Sequence, residues 1–145
     1  MVNDALSEFV NRAARTEIRT LATPLQSLSD LDPLVARLGP VRFACIGEAS
    51  HGTHEFYVWR AELTKRLIDE KGFNWIGVEG DWPDCWRINQ WVRGLVPEQQ
   101  HLSAVQVLAG FERWPTWMWA NREVADFLDW LHSRNLDLPL SERVG

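Results

Sequence analysis

Two glutamates each stand directly behind a short apolar run: Glu48 after Ile46-Gly47, and Glu79 after Gly77-Val78. A carboxylate placed there is costly unless it is paired or used. It can serve as a helix cap, as half of a core ion pair, or as part of a site, and two in equivalent places favour the site. His51 lies three residues beyond Glu48, in the segment Gly47-Glu48-Ala49-Ser50-His51-Gly52. A carboxylate beside an imidazole fixes its tautomer and stabilises its protonated form, which is what a general base near neutral pH needs. The glycines on either side let backbone approach a ligand closely. Arg60 is the fourth candidate. It falls four residues after Phe56, three before Leu63 and seven before Leu67, on the apolar stripe of the helix predicted there. Either its stem packs while its head reaches water, or it needs a carboxylate partner, for which Glu48 and Glu79 are the nearest candidates.

The same segment admits other chemistries. Glu48, His51 and His54 have the composition of a metal-ligand set. Ser50 sits where a nucleophile elbow would place its serine, but the spacing has one residue more than G-x-S-x-G. Gly47 and Gly52 flank a helix start, yet neither a G-x-G-x-x-G nor a Walker pattern is present, so a phosphate cradle has little support.

The elements that must hold these residues can be read from pattern. Leu6, Phe9, Val10 and Ala13 predict an opening helix, and Asp32-Pro33-Leu34 predicts a short one ending at Leu38 before Gly39-Pro40. Val41 to Gly47 and Trp75 to Val78 read as strands buried on both faces. Thr53 to Lys71 reads as a helix closed by Gly72, and Asp81-Trp82-Pro83 as the start of another that Gly94 stops. A further helix ends near Gly110, and Pro115-Thr116 opens the last, with Val124, Phe127, Leu128 and Leu131 on its apolar face. Arg143-Val144-Gly145 reads as the beginning of a third strand. The order β-α-β predicts an α/β class: a partial three-layer α/β/α domain with a mostly parallel sheet flanked by helices. On that reading residues 1–145 form the N-terminal part of a single domain truncated at its C-terminus, with exposed strand edges that favour self-association.

The net charge of −5, without a Lys/Arg-rich run, argues against nucleic acid or an anionic membrane as partner. Nine tryptophans suit either core packing or an aromatic-lined cleft for a bulky ligand. Cys45, in an apolar run, reads as a small buried hydrophobe, and with Cys85 it lacks metal spacing and gives no case for a disulfide framework. Neither a signal-peptide pattern nor an apolar stretch of membrane-spanning length is seen, so a cytoplasmic location is expected.

The composite run Gly47-Glu48-Ala49-Ser50-His51-Gly52-Thr53-His54-Glu55-Phe56, then Arg60, then Val78-Glu79-Gly80-Asp81-Trp82-Pro83-Asp84, resembles the erythromycin-esterase family. Trp114-Pro115-Thr116-Trp117-Met118-Trp119 and the helix after it are similar too. The resemblance covers the chain from about Phe43 onward. It implies a hydrolase of carboxylic esters whose named members open the lactone ring of macrolide antibiotics and so confer resistance. It also implies a longer chain with helices around a central sheet and a further active-site histidine in its C-terminal part. His51 matches the family's proposed base, and Glu48, Arg60 and Glu79 match its other site residues. Substrate contacts are expected from Trp82, His54 and Asp81. The expected reaction is attack on an ester carbonyl by water activated at His51, with neither metal nor cofactor. The expected partner is a small-molecule ester. Two rival readings are a truncated, non-catalytic binding module, and a metal-dependent hydrolase using Glu48, His51 and His54. Residues 1–145 alone are expected to be inactive.

Overall fold

In a computed structural model, residues 2–113 and 115–145 are described, with side chains from residue 11 onward. Trp114 and the side chains of Leu6, Phe9 and Val10 therefore lie outside the described residues. Among the described residues there are six α-helices: α1 (Val2–Leu21), α2 (Asp32–Leu38), α3 (His54–Lys71), α4 (Trp82–Val92), α5 (Ala104–Leu108) and α6 (Arg122–Leu136). Short 3-10 turns lie between several of them.

The chain divides into two compact units, Met1–Arg37 and Leu38–Gly145. In the first, Ala13 of α1 is exposed, so it is not part of a buried stripe. A 3-10 turn over Leu28–Leu31 is fixed by a capping box. The Gln26 and Ser27 backbone N–H groups donate to Asp30 Oδ2 at 2.8 and 2.7 Å. These bonds hold the Asp30 carboxyl below its ordinary range. Leu31 and Val35 are the buried apolar residues here.

In the second unit α6 is the hub, packing against α3, α4 and α5. Its starting point is set by Asn121, whose side-chain oxygen accepts from the Val124 backbone N–H at 2.9 Å. Pro115-Thr116, expected to open this helix, instead leads into the 3-10 turn Thr116–Met118. Ala125, Leu128 and Leu131 of α6 meet Ile68 of α3, Trp91 and Val92 of α4, and Val107 and Leu108 of α5 in one core. Helix α3 begins after Thr53 and ends where Gly72 takes a left-handed φ of 73°, as its sequence predicts.

The sheet is where sequence and structure part. Among the described residues there is no strand, and the unit is helical. The expected α/β class, with its parallel sheet over Val41–Gly47, Trp75–Val78 and Arg143–Gly145, is therefore overturned. A strand needs a neighbour that supplies a ladder of N–H and C=O groups. Here Ile76 donates a single backbone bond to the Gly145 carbonyl at 2.8 Å, which is a contact and not a ladder. The apolar runs are not buried on two faces either. Phe43 is 78% exposed and Trp75 70% exposed. Their apolar composition suits a strand, but of these runs only Val144 joins the core that the helices build, with Ile76 partly buried against it. Cys45, expected to be buried, is exposed.

The segment at 143–145 is held by a side chain. Asn135 of α6 is fully buried, donates to the Val92 and Val144 carbonyls at 2.8 and 2.7 Å, and accepts from the Val144 N–H at 2.9 Å. Asn135→Leu strands all three backbone groups, and each buried orphan costs about 1–3 kcal/mol with partial relief from relaxation. The expected loss is about 2 kcal/mol, read as a lower urea midpoint. An unchanged midpoint would mean that water replaces the amide.

Candidate active site

Everything that follows lies within the second unit. The loop Gly47–Thr53 delivers Glu48 and His51 to the start of α3, where Ser50 Oγ and Thr53 Oγ1 lie 3.0 Å apart. Gly52 carries a φ of 80°. A side chain there would be strained, and its Cβ would stand 3.1 Å from the Trp117 ring. The turn after His51 thus depends on glycine in both conformation and space.

Glu48 is the centre of the arrangement. Its side chain is 6% exposed. One oxygen lies 2.5 Å from His51 Nδ1, and the other lies 2.8 Å from Arg60 Nη1, an ion pair that falls outside hydrogen-bond geometry. One carboxylate therefore serves imidazole and guanidinium together. With Nδ1 committed, His51 Nε2 is the nitrogen left to take a proton, and the ring is half exposed. The Arg60 guanidinium also lies over the Tyr57 ring at 4.7 Å and over the Trp119 ring at 5.9 Å. Arg60 has the partner its position on the α3 stripe demanded, and that partner is Glu48.

Glu79 is placed differently. It is exposed, and its carboxylate makes no ion pair among the described residues. Its backbone carbonyl accepts from Trp119 Nε1 at 2.8 Å. The same indole faces Arg60, so Trp119 links the loop of Glu79 to the Glu48–His51–Arg60 cluster without a direct Glu79–Arg60 contact. Asp81 stands at the N-cap position of α4, without a side-chain capping bond, and pairs with Arg113 at 3.2 Å. Trp82 is 70% exposed and lies parallel to Trp86 with ring centroids 5.8 Å apart.

His54 belongs to a second pair. Its Nδ1 lies 2.6 Å from Glu123 Oε1, joining the first turn of α3 to the first turn of α6. The two histidines thus spend Nδ1 on different carboxylates. Glu48, His51 and His54 do not form one ligand cluster, and no group of three metal-ligating side chains exists among the described residues. Pattern reading missed Glu123, Tyr57 and Trp119. Glu123 carried only the weak signal of an acid in a helix's first turn. Tyr57 is the chain's sole tyrosine and precedes Arg60 by three residues, one helical turn.

The His54 hydrogen bond is the main reason the Glu123 carboxyl titrates below its ordinary range. A carboxyl with a folded-state value below its unfolded one stabilises the fold at neutral pH. That contribution fades once pH drops below about 4 and is gone below the folded value. The pair is open to solvent, so salt weakens it. Glu123→Gln is expected to unfold less steeply on acidification than the parent. Urea midpoints measured across the acid range check this, and parallel curves would show that the pair contributes nothing.

Among the described residues no helix is long and apolar enough to cross a membrane. Against known proteins, the family model described as erythromycin esterase matches residues 68–145. That span contains Glu79, Asp81, Trp82 and Glu123, whereas Glu48, His51, His54 and Arg60 precede it. The protein named erythromycin esterase type II from Escherichia coli is 31% identical over 71 residues, which cover 49% of this chain and 17% of that protein. No solved structure matches.

Proposed function

The chain belongs to the erythromycin esterase family, and from that premise we propose that it supplies the base and its supporting charges to a hydrolase of carboxylic esters, including macrocyclic lactones. The observation that carries the proposal is the buried Glu48 carboxylate, in contact with His51 Nδ1 on one oxygen and Arg60 on the other. In the proposed reaction a water molecule gives its proton to His51 Nε2 while its oxygen bonds to the ester carbonyl carbon. The carbonyl π electrons move to oxygen, and the tetrahedral intermediate then expels the alkoxide, which takes the proton back from His51. The products are an acid and an alcohol, and no covalent enzyme intermediate is required. Glu48 keeps Nδ1 protonated and balances the imidazolium as it forms. Arg60 balances Glu48 in turn and places its charge near the developing oxyanion. Glu79 acts from the neighbouring loop, held through its carbonyl by Trp119.

Substrate contacts are assigned to Trp82, Asp81 and His54. The partner is a small-molecule ester in the cytoplasm, and resistance to a macrolide is the biological outcome that this chemistry would give. No metal is part of the proposal, because His51 and His54 serve separate carboxylates. The domain proposed is the N-terminal part of a longer hydrolase domain, and the stretch matched in the Escherichia coli relative is 17% of that protein. The test uses this segment within a protein of the relative's length, assayed on aryl esters and a macrolide before and after chelation. Turnover that survives chelation and requires His51 is the expected result. Binding without turnover would leave a binding module in its place, and loss of turnover on chelation would favour the metal-dependent reading.

A further inference from the structure

Beside the Glu48–His51 pair lies an open pocket of about 230 Å³, lined by Gly52, His54, Tyr57, Trp117, Asn121 and Glu123. Gly52 forms one wall and directly follows His51, so the pocket adjoins the proposed base. Its volume is below the roughly 300–1,000 Å³ of a site that encloses a whole drug-sized ligand, so it suits one ring of a larger molecule.

The polar groups at this pocket are not all committed. Asn121 is spent on capping α6 and on the Trp117 and Met118 carbonyls. Glu123 gives one oxygen to His54, and its own backbone N–H also supports the carboxylate, whose remaining acceptor positions are open to a ligand. Tyr57 is 4% exposed, and its buried hydroxyl has only the Gly52 backbone N–H close by, outside good hydrogen-bond geometry, so its own proton has no acceptor. A buried hydroxyl left in that state costs about 1–3 kcal/mol, and such groups are normally satisfied by a ligand or an ordered water. Trp117 is 45% exposed and offers a flat apolar surface. A carboxylate acceptor, a phenol that both donates and accepts, and an indole face together match a group that donates and accepts on an apolar ring.

We propose that this pocket is a subsite for a hydroxylated ring of the substrate, such as a pyranose, stacked on Trp117 with hydroxyls bonded to Glu123 and Tyr57. His54, besides the substrate contact assigned to it above, aims Glu123 through its Nδ1. The proposal rests on the hydrolytic reading of Glu48 and His51 for its part in the reaction, since the subsite would hold the ester beside the base.

The test titrates methyl β-D-glucopyranoside into the purified chain and follows the Trp117 indole N–H resonance, assigned with Trp117→Phe. Ligand efficiency for a ring of this size predicts a Kd of about 1 mM. Tyr57→Phe is expected to weaken binding about fivefold, and Glu123→Gln about tenfold or more, because the lost partner is charged. Should Tyr57→Phe not fold, His54→Asn replaces it, with an expected weakening of several-fold as Glu123 is released. The His51→Gln chain should bind the glycoside as the parent does. An unsubstituted segment at its relative's length that shows the Trp117 shift but no ester turnover would remove the hydrolytic reading and keep the subsite. Turnover without any saturable Trp117 shift would do the reverse. A shift induced by tetramethylammonium and not by the glycoside would overturn the proposal in favour of a cation site.

Discussion

His51→Gln in a protein that carries this segment at its relative's length is expected to lower kcat for ester hydrolysis by about 10²–10⁴-fold, the range for losing a positioned general base. Glutamine keeps a hydrogen-bonding side chain at the half-exposed position but cannot accept a proton from water. The glycine turn after it and the α3 helix do not depend on the imidazole, so circular dichroism and the urea midpoint should be unchanged. KM should also move little, because the substituted group acts on water and not on the ester. A fall of less than about tenfold in kcat with an intact fold would assign the base elsewhere.

Glu48→Gln is expected to reduce activity as severely, by up to about 10⁴-fold, the scale seen where the carboxylate orienting a catalytic histidine becomes an amide. The charged residue serves two cations with two oxygens. An amide has one oxygen, so either His51 Nδ1 or Arg60 then faces an NH₂ group. Stability should fall too, by about 1–3 kcal/mol, because Arg60 loses its charged partner while its head remains only partly solvated. The double substitution Glu48→Gln/His51→Gln provides the sharper comparison. Groups that act as one unit lose their function once, so the double variant should be nearly as active as either single one. Multiplicative losses would show that Glu48 and His51 work independently.

The helices could be read in the sequence because their signals are local. Thr53, Lys71 and Gly72 bound α3 within a residue of expectation, and Asp81-Trp82-Pro83 opens α4 where the proline predicts. The supposed strands could not be judged that way. Val41–Gly47 and Trp75–Val78 are apolar enough for a buried sheet, but a sheet exists only through partners distant in sequence. Composition does not reveal that Phe43 and Trp75 stay exposed. The site was legible to the same extent. The Glu48–His51–Arg60 grouping spans thirteen positions and is set by one turn and one helix, so spacing sufficed. Glu123 meets His54 across 69 positions, and no period or motif encodes that encounter. Glu79 follows an apolar run as Glu48 does, which made it the other candidate partner for Arg60. Without a sheet the geometry changed, and a tryptophan stands between them.

That tryptophan bears on how segments of this family could be exchanged. Trp119 grips the Glu79 carbonyl and faces Arg60, and a Cβ at Gly80 would stand 2.6 Å from Cys85 Sγ and 3.3 Å from the Trp119 indole nitrogen. Three separated stretches of chain therefore meet at a single indole. In a chimera built from two relatives, a crossover between Arg60 and Glu79, or between Cys85 and Trp119, places partners from different parents at that junction. Such a chimera keeps the junction only if the parent that supplies position 80 has glycine there and the parent that supplies position 119 has tryptophan. A crossover before Glu48 or after Glu123 moves the whole assembly as one cassette.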